Sequence, residues 1–153
     1  MTDPQAPIAD SGSSAGGGRA VDAGAPAVRA GEGAWTAEEL DEVRTELVEE
    51  RARLVVELQV LQASIADVLR DTGDGVGDDQ ADSGSKAFER EQEMTLLANT
   101  RQTLLQIEHA LGRLGDGTYG TCESCRNAIG KLRLQAFPRA TLCVTCKQRQ
   151  ERR

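Results

Sequence analysis

A chain of 153 residues of which only 3% are aromatic holds one domain, or a small domain with an appendage, and is too poor in bulky side chains for a thick globular core. A formal net charge of −7 argues against a general coat for DNA. No apolar run approaches the length of a signal peptide or a membrane span, so the expected compartment is the cytoplasm, with no membrane partner.

The charge is unevenly spread. Residues 36–121 carry 19 acids and 8 bases, whereas residues 122–153 carry 2 acids and 8 bases. An acidic body therefore ends in a basic segment. This is either ordinary solvated surface or two contact faces of opposite sign.

Residues 1–34 are Ala, Gly, Ser and Pro with a few charges. Such a stretch buries too little apolar surface to offset its ordering entropy, and it reads as a disordered tail. Order is expected to start at Trp35. Thr36 can cap a helix, and Glu39 three residues on completes a capping box; Trp35 and Leu40 occupy the two positions of a hydrophobic staple. Leu40, Leu47, Leu54, Leu61 and Val68 then recur every seven residues, widened by Val43, Leu58 and Ile65. No Gly or Pro interrupts residues 36–70.

A second helix is expected from about Ser83 or Ser85 to Leu114, with a stripe of Met94, Leu97, Leu104, Ile107, Leu111 and Leu114. The turn between the two, Asp71 to Asp82, is rich in glycine and aspartate. Matched apolar helices joined by a compact loop predict an antiparallel coiled-coil hairpin over 35–116, with an acidic tip at 71–84. A parallel intermolecular coil is the rival, and the loop glycines favour the hairpin. The tip aspartates do not follow the ligand order of an EF-hand. They are either a soluble turn or a cluster of acids carried on a rod into a place a globular protein cannot enter. His109 reads as a surface or flank residue of the second helix.

Residues 117–153 hold all four cysteines. Cys122/Cys125 and Cys143/Cys146 form two Cys-x-x-Cys pairs with 17 residues between them, the spacing of a zinc site. Four thiolates close a tetrahedron around Zn2+ and leave no open position for water, so the expected metal is one structural ion. Disulfides would need an oxidising compartment, a redox Cys-x-x-Cys would need only one pair near a βαβ unit, and a catalytic zinc usually keeps three protein ligands. The fold class is thus mainly α: a long antiparallel hairpin, a small four-cysteine zinc ribbon and a short basic helix after Cys146.

The run Gly117-Thr-Tyr-Gly-Thr-Cys122-Glu-Ser-Cys125, with Ile129-Gly130, Arg133-Leu134, Ala136, Pro138 and Leu142-Cys143-x-x-Cys146-Lys147, resembles the DksA/TraR family of bacterial transcription regulators. The resemblance covers about residues 36–150. It implies a non-enzymatic protein that binds RNA polymerase without sequence-specific DNA contact. The coiled coil of the family enters the polymerase secondary channel, and its acidic tip, Asp-x-x-Asp-x-Ala, modulates initiation. Asp79 and Asp82 stand at the matching positions, and Gly84 replaces the usual alanine. Arg133, Arg139, Lys147 and Arg149 are candidates for docking on polymerase outside the channel. Alarmone-responsive members use basic side chains where this chain has the neutral Gln106 and Phe137; Lys147 is retained. That departure weakens the expectation of a guanosine tetraphosphate site. The alternative from the residues alone is a zinc-ribbon module that binds nucleic acid through its basic end, which would weaken steeply with salt.

Overall fold

The computed structural model describes residues 25–71 and 80–152, with side chains described except at 71 and 80–83. Four helices follow in order: α1 (Ala37–Asp71), α2 (Gln80–Asp116), α3 (Lys131–Ala136) and α4 (Val144–Glu151). Most of the expected turn, Asp79 included, lies outside the described residues.

The start of α1 is fixed by local chemistry. The Glu39 carboxylate accepts the Thr36 N–H at 2.8 Å, and the Thr36 hydroxyl accepts the Glu39 N–H at 3.2 Å, so two backbone donors that no helical turn can satisfy are satisfied reciprocally. Glu39 also meets the Lys131 ammonium at 2.6 Å. Its carboxyl is held below its ordinary value of 4.5, first by the Lys131 bond and then by the Thr36 N–H. A carboxylate whose folded pKa is depressed stabilises the fold above its ordinary value, and that contribution is lost as pH falls through the depressed one. Replacing Glu39 by Gln should therefore lower the melting temperature at neutral pH and leave it nearly unchanged in strong acid; an equal loss at both pH values would show that the charge is irrelevant.

Helices α1 and α2 pair in antiparallel fashion. Ser64 donates to Glu93 at 2.9 Å, and Thr100, one heptad further along α2, donates to Glu57, one heptad back along α1, at 3.1 Å. Arg51 and Glu108 continue the sequence at 3.2 Å. The parallel coil is thereby replaced by the hairpin. The second helix begins earlier than expected, at Gln80, so Asp82 and Gly84 lie inside it. A methyl group at Gly84 would meet nothing within 4 Å, so glycine there lowers helix propensity without serving any close approach.

The apolar stripe is not uniform. Val43, Leu47, Ile107 and Ala110 are buried near the base, while Leu54, Leu58, Leu61 and Ile65 are only half-buried further out. Two helices alone cover only one side of each leucine; the base is covered on a further side by residues 117–152. Met94, expected in the stripe, is exposed. It lies about 100° around the helix from Glu93, and it is Glu93 that faces Ser64.

Helix α2 stops at Gly117, whose φ of +73° is a left-handed conformation that costs glycine little. The N–H groups of Thr118 and Tyr119 both return to the Arg113 carbonyl, at 3.1 and 3.0 Å. The Arg113 guanidinium, almost fully buried, donates to the Thr118 carbonyl at 2.7 Å and also to that of Thr121. Among the described residues, β pairing is limited to one antiparallel bridge, Thr121 with Ala128. The expected disordered tail over 1–34 does not include 25–34: Pro26 is buried and Val28 packs on the core, because the ribbon supplies a surface that the segment's own composition lacks.

Candidate metal centre

Two turns of different origin bring the cysteines together. The first is closed by the Cys122 N–H on the Asn127 carbonyl at 2.8 Å and the Arg126 N–H on the Cys122 carbonyl at 2.9 Å. Arg126 takes a φ of +63° to complete it. The second is the start of α4: Cys143 caps the helix, and Cys146 sits in its first turn. The basic helix therefore begins before Cys146 rather than after it. The Glu123 N–H reaches the Thr141 carbonyl at 2.9 Å and ties one turn to the other.

All four Sγ atoms lie within 4.8 Å of one another. A tetrahedral zinc with Zn–S bonds of about 2.3 Å requires sulfur–sulfur edges of about 3.8 Å. The Cys125 and Cys143 sulfurs are 3.8 Å apart, and all four cysteines are free thiols. The donor set and its spacing fit Zn2+. Cys122, Cys143 and Cys146 are buried and Cys125 is exposed. The Cys143 N–H points at the Cys122 sulfur at 3.3 Å. Burial pushes the Cys122 thiol up, but N–H groups of Cys125, Cys143 and Ser124 outweigh it and bring the pKa down to about 6. Ser124 lowers Cys146, yet burial and the three neighbouring sulfurs push it up to about 11. Without a cation the cluster keeps protons that metal binding must displace.

The metal site is tied to the hairpin base by two ion pairs and one histidine–carboxylate contact. His109 meets Glu123 at 2.5 Å, which is the main reason the Glu123 carboxyl lies below its ordinary range. Arg139 meets Glu50 at 2.8 Å, and Lys131 meets Glu39 at 2.6 Å. His109 is thus a flank residue that braces the first turn and is not among the four clustered ligands.

The four docking candidates are differently placed. Arg133 donates to the Leu142 carbonyl at 3.1 Å and lies 5.8 Å over the Phe137 ring. Arg139 is engaged with Glu50, and Lys147 approaches Glu151 at 3.6 Å. Arg149 is exposed on α4. Arg133, Arg139 and Lys147 line one open groove of about 900 Å³, together with Gln106 and Phe137. Arg149 does not. Asp82 lies in the first turn of α2, with its side chain outside the described ones. From Asp82 to the end of α2 at Asp116 the helix runs about 51 Å toward the sulfur end at 1.5 Å per residue. Among the described residues no helix is long and apolar enough to cross a membrane.

A helical hairpin standing on a four-cysteine finger defines the class: a C4-type zinc-finger protein with a projecting coiled coil. Residues 117–152 match the family described as the prokaryotic dksA/traR C4-type zinc finger. The solved transcription factor DksA2 from Pseudomonas aeruginosa superposes with a TM-score of 0.62 at 32% identity, covering 76% of this chain and 85% of that one. The RNA polymerase-binding transcription factor DksA of Caulobacter vibrioides is 40% identical over 75 residues, 49% of this chain and 53% of that protein. General stress protein 16O of Bacillus subtilis is 32% identical over 81 residues, 53% of this chain and 50% of its own. The chain belongs to the DksA/TraR family. It spans about half the length of the curated relatives it matches.

Proposed function

We propose that this protein binds RNA polymerase and regulates transcription initiation without catalysing a reaction. The hairpin enters the secondary channel and presents Asp79 and Asp82 near the catalytic centre, while one structural zinc ion keeps the base rigid. The observation that carries this reading is the separation of parts: Asp82 in the first turn of α2 at one end of the paired helices, the clustered cysteines at the other. Relatives named as RNA polymerase-binding transcription factors support the partner.

The docking face is the outer surface of the zinc finger, with Arg133, Arg139, Lys147 and Arg149. Three of these four are engaged within the chain, which favours shape-dependent protein contact over phosphate binding. The same engagement, with Gln106 and Phe137 in the groove, disfavours guanosine tetraphosphate there.

The test is a pull-down with core RNA polymerase followed by crosslinking from residue 82. Asp82→Asn should keep both fold and polymerase binding while weakening the effect on initiation, and Asp79→Asn/Asp82→Asn should weaken it further. Unchanged transcription with the double variant would remove the tip's role. Binding to DNA alone that falls steeply with salt would instead favour the nucleic-acid module.

A further inference from the structure

Residues 25–36 cross the zinc finger at a particular place. The hairpin-like loop that carries Cys122 and Cys125 has two feet, Gly120 on one side and Gly130-Lys131 on the other, joined by the Ile129 N–H on the Gly120 carbonyl at 2.6 Å. The N-terminal segment touches both. At the first foot it comes so close that a Cβ added to Gly120 would lie 2.8 Å from the Ala27 carbonyl oxygen and 3.3 Å from Pro26. At the second foot the Glu32 carboxylate accepts the Lys131 N–H through both oxygens, at 3.1 Å each, while holding its own turn through the Arg29 N–H at 3.1 Å.

Lys131 returns the contact. Its ammonium donates to the Ala34 carbonyl at 3.2 Å, pairs with Glu39 at 2.6 Å and lies 5.2 Å from the centre of the Trp35 ring. Trp35 in turn meets Tyr119 edge to face at 6.1 Å, and the Tyr119 hydroxyl donates to the Pro138 carbonyl at 2.8 Å. Tyr119 and Ile129 are almost wholly buried. The segment therefore bridges the two feet of the first cysteine turn, and Tyr119 links it on to Pro138 in the chain leading into the second.

From this geometry we infer that residues 25–36 form a clasp belonging to the metal-binding unit, closing the feet of the Cys122/Cys125 turn so that zinc is retained. The family signature begins at residue 117 and does not include this segment. The physical reason is preorganisation. Zinc leaves a four-thiolate site by losing its ligands in turn, and a pair of thiolates is released when their turn splays open. Glu32 and Lys131 oppose the splaying by holding the feet of the turn to the N-terminal segment, without bonding a cysteine or touching the metal. They are positioning residues.

The test is the rate at which zinc-loaded, full-length protein passes its metal to the chromogenic chelator 4-(2-pyridylazo)resorcinol. Glu32→Ala and Lys131→Met should each release zinc several-fold faster than the wild type, because the feet of the turn lose a brace although neither group bonds a cysteine directly. Glu32→Gln keeps a carbonyl to accept the Lys131 N–H and should recover most of the loss. Helix content by circular dichroism should not change, since α1 and α2 pair elsewhere. Two truncations complete the comparison. Removing residues 1–24 leaves the clasp and should leave the rate unchanged; removing residues 1–33 should raise it. Release at the wild-type rate from Glu32→Ala, or equal rates from the two truncations, would overturn the inference.

Discussion

Purified Cys143→Ser should carry zinc only at background level, and residues 117–152 should lose their protection from hydrogen exchange while the outer hairpin stays helical. Cys143 has three connections at once. Its sulfur is one of the four clustered donors, its N–H supports the Cys122 sulfur, and its carbonyl accepts the Lys147 N–H at 2.9 Å to begin α4. Serine keeps the backbone contacts and the volume but removes a soft thiolate. Zinc binding is worth about 10–16 kcal/mol to small four-ligand fingers near neutral pH, which exceeds the stability of most domains of this size. The few buried apolar side chains around the site, chiefly Tyr119, Ile129 and Leu134, cannot replace it. Metal analysis and exchange mass spectrometry check the result. Zinc at wild-type content in Cys143→Ser would contradict the four-ligand site.

The second large effect is expected at Leu47. Its side chain is fully buried where α1, α2 and the zinc finger meet. Leu47→Ala should cost about 2–5 kcal/mol, because a fully buried site relaxes only partly around the space left behind. Leu61→Ala is the control. Leu61 belongs to the same heptad series but is only half-buried, so water already reaches part of it and the loss should be distinctly smaller. Urea titrations of the two variants, followed by helix signal, measure the difference. Equal losses would mean that the hairpin is packed alike along its length.

These two sites also show what the sequence could convey. The capping box at Thr36, the heptads and the cysteine spacing are patterns within short stretches of chain, so they are legible in the sequence. Exposure along the heptads is not. Leu47 and Leu61 look equivalent in sequence, and their difference comes from the finger, which packs on one end only. Met94 lies one residue off the register 93, 97, 100, 104 and 107 that faces α1, and a polar residue, Glu93, holds the inward position there. The clasp was missed for a related reason. Residues 25–34 have the composition of a tail, and their order rests on Glu32 meeting Lys131 across 99 positions. Likewise, counting basic residues in 122–153 could not reveal that Arg139 is already engaged by Glu50.

The two polar pairs inside the hairpin, Ser64 with Glu93 and Thr100 with Glu57, set a gauge. Leucines spaced by heptads tolerate sliding by a turn, because one leucine can take another's place. The half-buried Glu93 carboxylate cannot exchange with a leucine at that cost, since it would lie against hydrocarbon without the Ser64 hydroxyl. Slippage of α1 past α2 would break both pairs together, with the larger cost at half-buried Glu93 because Glu57 is exposed, and so these contacts favour the observed alignment. The overlap of the two helices is thereby biased to one value, which sets how far their paired length extends from the metal end.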